Sequence, residues 1–307
     1  MDTNKNSYTI IYATLLVVFV AAVLAFVSSS LRGRQQKNVD IEKQMSLLSS
    51  VGLGTQADKV PDKTAYIEEE YSKYITKSFI VNYEGKVIEG DAFRVDLKEQ
   101  YDLMRQIAAV PADRQERKTE LLARLKLPVF VGTLENGDVY IFSCYGAGLW
   151  GPIWGYVSLN SDFNTIHGAT FGHKGETPGL GAEIATARFS NQFIGKEIFA
   201  GNLFASIAVV KGGAETGNPH EVDAISGGTI TSQALESTLK NWLQYYLPYI
   251  ESQKKHTGTT PAQLQDYREA KEDASRNIAT PEAAAAVGVQ GGDSTNVELR
   301  DSANVNL

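Results

Sequence analysis

Residues 128–145, PVFVGTLENGDVYIFSCY, alternate apolar and polar side chains on either side of Asn136-Gly137. A period of two is that of a strand with one buried face, and Asn-Gly between two such runs is the strongest short hairpin signal. Two paired antiparallel strands are therefore expected here. Upstream, residues 96–127 are charged and helical, with an insertion around Pro111, and residues 61–95 read as a helix followed by a hairpin around Glu84-Gly85. Downstream, GAGLWGPIWGYVSLN (146–160) runs from a turn into a strand ending near Leu159, and another strand is expected over 166–171. GHKGETPGLGAE (172–183) holds four glycines and a proline, so a loop of defined shape is expected there. A strand over 204–211 and a helix opened by DAISGGTIT (223–231) follow. That helix carries Leu235, Leu239, Trp242, Leu243, Tyr246 and Leu247 on one side, and the folded body is expected to end near Ile250. This mixture of helices and hairpins predicts an α+β domain with a mixed sheet over residues 61–250.

The 307 residues are unevenly apolar. No charge occurs from Asn6 to Leu31, and residues 10–27 read IIYATLLVVFVAAVLAFV. About 20 such residues in a helix rise roughly 30 Å, the thickness of the hydrocarbon core. After a short segment at 1–9, a single uncleaved transmembrane helix is expected over 10–31, because the run exceeds a signal-peptide core and no clear cleavage site follows it. Residues 32–60 read as a connector, with Ile41, Met45 and Leu48 at helical spacing before Gly52 and Gly54. Residues 251–307 carry Tyr267 as their only aromatic side chain and are expected to form a disordered polar extension, with a transient helix around 264–275. Arg32, Arg34, Lys37 and Lys43 follow the span, and only Lys5 precedes it, a count that favours a cytoplasmic carboxyl side.

The formal charge of −7 argues against nucleic acid as the main partner. The lone Cys144 excludes an intramolecular disulfide framework and any all-cysteine cluster, and its apolar neighbours Ile141 and Phe142 make it a buried strand residue. His173 and Glu176 lack a third partner for a metal, and none is expected. The Walker, Rossmann and serine-hydrolase patterns are absent, so the chain is not expected to oxidise a dinucleotide alone, and no catalytic residue is assigned. SGGTITS (226–232) is the stretch that can carry chemistry. At a helix start the first amides lack intrahelical partners, and paired glycines let a phosphate approach them. Taken alone, the stretch reads more readily as an ordinary helix cap. Asp223 braces either the loop or a recognition segment, and the residues do not choose between these.

Three separately placed stretches resemble one family. SGGTIT (226–231) resembles the Ser-Gly-Ala-Thr flavinylation motif of the membrane-anchored covalent FMN-binding family, with Gly228 in place of alanine. ETPGLG (176–181) after His173 and GLWG (148–151) match its other two elements, in the same order. Within the family the likeness is to C subunits of the sodium-translocating NADH:quinone reductase, Nqr, because of the long body with its charged insertion at 96–127. The G subunits of the Rnf ferredoxin:NAD complex share the motifs and form the alternative. The resemblance implies that FMN is held covalently as a phosphoester on Thr229, next to Ser226, Gly227, Gly228 and Thr231, and installed by a separate flavin transferase. It also implies that Leu149, Trp150, Glu176, Thr177 and Leu180 line the flavin. The implied setting is an electron-transfer subunit among other Nqr subunits in the bacterial inner membrane, embedded in the lipid bilayer, with the flavin domain on the periplasmic side. The whole complex would couple NADH oxidation and quinone reduction to sodium export. A reading from a different class is a membrane-anchored scaffold whose SGGTIT is only a helix cap.

Overall fold

The computed structural model describes residues 6–256. The expected extension at 251–307 is described only as far as His256, and its transient helix at 264–275 lies outside the described residues. Helix α1 (Asn6–Ser49) is a single element of 44 residues. At 1.5 Å per residue it is about 66 Å long, twice the hydrocarbon thickness. The expected span and the first part of the expected connector are thus one continuous helix. It is the one helix, among the described residues, long and apolar enough to cross a membrane. Its two ends meet different surroundings. Phe19, Leu24 and Phe26 are exposed along the apolar stretch, whereas Leu47 and Leu48 are fully buried in the domain. Gly52, at φ 77°, then reverses the chain, and the Leu53 amide reaches back to the Leu48 carbonyl at 3.0 Å.

Asp62 caps α2 (Lys63–Tyr74) by accepting the Ala65 amide at 3.0 Å. β1 (Ile75–Val81) and β2 (Val87–Ile88) form the expected hairpin. The charged segment gives α3 (Leu97–Ala108), capped by Asp96, and α4 (Gln115–Leu122). β3 (Leu127–Leu134) and β4 (Gly137–Ala147) form the hairpin at the centre of the fold. Leu134 pairs with Gly137, so the two loop residues are Glu135 and Asn136, and Gly137, at φ 120°, already belongs to β4. β5 (Pro152–Leu159) and β6 (Ile166–His173) complete a six-stranded antiparallel sheet in the order β2-β1-β3-β4-β5-β6.

Both faces of this sheet are covered. Phe142, Cys144 and Val157 join the apolar side chains of α3 and of the carboxyl-terminal helix in one core, while Phe130, Ile141 and Tyr156 on the opposite face pack with Leu47 and Leu48 of α1. Cys144 is the expected buried strand residue, and burial pushes its thiol up to about 12, which leaves it protonated and unreactive at neutral pH.

Past a 3-10 turn (Gly181–Ala185) and α5 (Ala187–Ser190), the expected strand at 204–211 is two pieces in different sheets. β7 (Phe199–Ala200) pairs with β8 (Leu203–Phe204), and β9 (Ala208–Val210) runs parallel to β10 (Glu221–Asp223). Ser206, at φ 61°, separates them, and the Ala205 and Ser206 amides both turn to the Ile198 carbonyl. The domain therefore combines an antiparallel sheet with a short parallel ladder. α6 (Thr229–His256) passes the expected end at Ile250 and contains Pro248. Leu235, Leu239, Trp242, Leu243, Tyr246 and Leu247 are all buried along it.

Candidate functional site

Three segments remote in sequence meet at the start of α6. The loop before the helix turns at Gly227, whose φ of 74° suits glycine, and the Gly228 amide donates to the Ile225 carbonyl at 3.0 Å. The first i→i−4 bond of the helix runs from the Ser232 amide to the Gly228 carbonyl at 2.9 Å. The amides of Thr229, Ile230 and Thr231 stand ahead of that ladder, at the positive end of a 28-residue helix. The GLWG stretch makes a tight turn in which the Gly148 amide donates to the Gly151 carbonyl at 2.8 Å. In ETPGLG and the residue after it, the amides of Leu180 and Ala182 both donate to the Thr177 carbonyl.

Glu176 ties the three together. Its side chain is buried, with Oε1 accepting the Trp150 amide at 2.9 Å and Oε2 accepting the Thr231 hydroxyl at 2.6 Å. Its own amide donates to His173 Nδ1 at 3.3 Å. One carboxylate thus fixes the GLWG turn against the first turn of α6. Space for it depends on two glycines, since a Cβ on Gly148 would lie 2.5 Å from Oε1 and one on Gly181 would lie 2.5 Å from Oε2. Cβ atoms do not approach neighbours that closely, so a side chain at either position requires the carboxylate to move, together with Ile153 beside Gly148 or Thr231 beside Gly181.

The three segments enclose a cleft of about 240 Å³. Leu149, Trp150, Glu176, Thr177, Leu180, Gly227, Gly228, Thr229 and Thr231, all expected from the sequence motifs, line it. Gly181 and Ile230, which belong to the motifs but are not among the expected site residues, line it as well. Ile230 carries a readable signal: it is apolar but lies off the buried stripe that begins at Leu235, and it is 56% exposed. With Leu149 at 47%, Trp150 at 68% and Leu180 at 42%, it makes an apolar rim open to solvent. Such a rim around a polar floor is the pattern of a ligand site rather than of an ordinary surface.

The four hydroxyls of residues 226–232 differ sharply in availability. Thr231 is 1% exposed and donates to Glu176, and Ser232 is equally buried, with its Oγ accepting the Ile225 amide at 3.1 Å. Ser226 is exposed but lines a neighbouring cleft of about 600 Å³ with Arg188, Gln192 and Asp223. Thr229 alone is both partly exposed and on the cleft that the three motifs build. Asp223 accepts the Ala214 amide at 2.7 Å and so braces the 212–214 loop.

A family model described as FMN-binding domain matches residues 148–244, the stretch from the GLWG turn into α6. The C subunit of the Na(+)-translocating NADH-quinone reductase of Vibrio campbellii is 32% identical over 251 residues, covering 79% of this chain and 91% of that relative. Its counterpart from Vibrio vulnificus is 31% identical over 245 residues with the same coverage. The crystal structure of the corresponding C subunit from Parabacteroides distasonis is 40% identical, with a TM-score of 0.57 over 72% of this chain and 96% of that one. Shewanella oneidensis NqrC is 26% identical, with a TM-score of 0.54 over 71% and 98%. With identity at this level along nearly the whole length of its relatives, and with the family's three motifs closing on one cleft, the chain belongs to the NqrC family, the C subunits of Na(+)-translocating NADH-quinone reductases.

Proposed function

We propose that the chain is the membrane-anchored electron carrier of such a reductase and holds FMN covalently through a phosphoester to Thr229. The observation that carries the proposal is the selection among hydroxyls: Thr231 and Ser232 are buried and bonded, Ser226 faces another cleft, and Thr229 faces the motif-built one. A flavin transferase would install the group. The bond from Thr229 Oγ1 to the FMN phosphorus forms as the pyrophosphate bond of FAD breaks, AMP leaves, and the transferase takes the hydroxyl proton.

The residues present fit the group. The leading amides of α6 and the helix dipole favour the remaining phosphate charge, and Gly227 and Gly228 keep Cβ atoms out of its way. Leu149, Trp150, Leu180 and Ile230 offer apolar contact to a planar ring, and the exposed Thr177 adds a hydroxyl at the edge. A cleft of about 240 Å³ falls below the roughly 300–1,000 Å³ of sites that engulf a whole ligand. Part of the flavin would therefore stay at the surface, where a redox partner can approach it. When bound, the isoalloxazine accepts and gives up electrons, and the protein sets its position and potential. Other Nqr subunits would supply the electrons originating on NADH, pass them to quinone and couple the transfer to sodium export.

We place α1 across the bacterial inner membrane, with the domain on the periplasmic side. The basic residues after the span do not oppose this strongly, because charge bias governs short loops of up to about 60 residues. Two of the four are engaged by the fold: Lys37 pairs with Glu68 at 3.4 Å, and Lys43 Nζ lies 4.6 Å from the centre of the Phe93 ring. The test is coexpression of the full chain with a flavin transferase, followed by intact mass and in-gel ultraviolet fluorescence. Wild type should gain a covalent FMN increment that Thr229→Ala lacks. No adduct in wild type would favour the scaffold reading.

A further inference from the structure

Glu176 has a feature that holding a fold together does not require. Its two oxygens accept from two neutral donors, the Trp150 amide and the Thr231 hydroxyl, which is the bonding pattern of a carboxylate. Among the described residues no ion pair reaches it. It is 5% exposed and forms part of the cleft wall. Burying an unpaired charge is costly, and a glutamine of the same shape would hold the same two segments without that cost. The nearby amino end of α6 offsets part of the penalty.

We infer that Glu176 is a positioning residue with a second role: its negative charge, held at the cleft wall by Trp150 and Thr231, lowers the reduction potential of the attached flavin. This inference rests on the proposed attachment at Thr229. Reduction adds negative charge to the ring system, and a fixed carboxylate in a water-poor wall opposes that gain more strongly than one in water. The two hydrogen bonds do the positioning, and the charge does the tuning. Different substitutions separate the two. In Glu176→Gln the side-chain oxygen still accepts the Trp150 amide, while its NH2 donates to Thr231, whose hydroxyl turns to accept. Thr231→Val removes one hydrogen bond and leaves the charge.

The experiment is a spectroelectrochemical titration of the full-length flavinylated chain in detergent, with flavin occupancy measured by intact mass for each variant. Glu176→Gln should load flavin and show a midpoint potential more positive than wild type. Thr231→Val should load less flavin and show no positive shift. An unchanged or more negative potential in loaded Glu176→Gln overturns the inference, as does an equal positive shift in Thr231→Val, which would trace the effect to a rearranged cleft. Failure of Glu176→Gln to load while wild type does would refute the separation of geometry from charge. Absence of the adduct from wild type would instead remove the attachment on which the inference stands.

Discussion

A Gly181→Ala chain is expected to take up at least tenfold less covalent FMN than wild type under the same exposure to transferase, while remaining folded. The added Cβ would lie 2.4 Å from Thr231 Oγ1 and 2.5 Å from Glu176 Oε2, between the two partners of the 2.6 Å hydrogen bond. Either that bond opens or the loop carrying Gly181 withdraws, and both separate ETPGLG from the start of α6. Losing a hydrogen bond to a charged group costs about 1.5–3 kcal/mol. For a domain of this size that lowers the melting temperature by about 3–12 °C, so the lost loading would not reflect unfolding. Gly179→Ala is the comparison. Gly179 adopts a φ of 76° with open space around its Cβ position, so alanine there strains the backbone by about 1–2 kcal/mol without entering the clamp. Loading should survive in that chain, as intact mass would show.

Trp242→Ala is expected to give the largest loss of stability. Trp242 is 1% exposed, belongs to the core between α6 and the sheet, and donates from Nε1 to the Tyr145 carbonyl at 2.6 Å. Truncating a buried tryptophan costs about 3–5 kcal/mol, which lowers the melting temperature by about 6–20 °C. The lost hydrogen bond leaves the Tyr145 carbonyl without that donor at the point where β4 approaches the GLWG turn. Calorimetry or circular dichroism on the full chain in detergent measures the shift. A change below about 2 °C would mean that α6 is not anchored as described.

How much of this is legible in the sequence depends on whether a residue's role follows from its neighbours in the chain. The alternation through 128–145 reports a strand directly, and the stripe from Leu235 to Leu247 reports the buried side of α6, so sheet and helix can both be read. The break at Ser206 cannot, because its positive φ is imposed by the Ile198 carbonyl, which draws two successive amides. The continuity of α1 is hidden by a change of composition rather than of structure: the charges after Leu31 mark the end of an apolar run, not of a helix.

The site is legible as a set of motifs but not as roles. Thr231 shares a motif with Thr229, yet its hydroxyl is spent on a carboxylate 55 residues away. Glu176 sits in a motif expected to line the flavin, yet both its oxygens accept hydrogen bonds from within the chain, and its carboxylate lies against Gly148 and Gly181, where a Cβ would crowd it. Ser226 and Thr229, three residues apart, differ in which cleft they face.

The assignment of the flavin to Thr229 rests on that last difference. The wild-type chain, flavinylated in cells and digested with protease, can be followed by tandem mass spectrometry that retains the phosphoester. The expected result is the FMN mass on Thr229 and on no other hydroxyl of residues 226–232. An adduct located on Ser226, Thr231 or Ser232 would contradict the assignment.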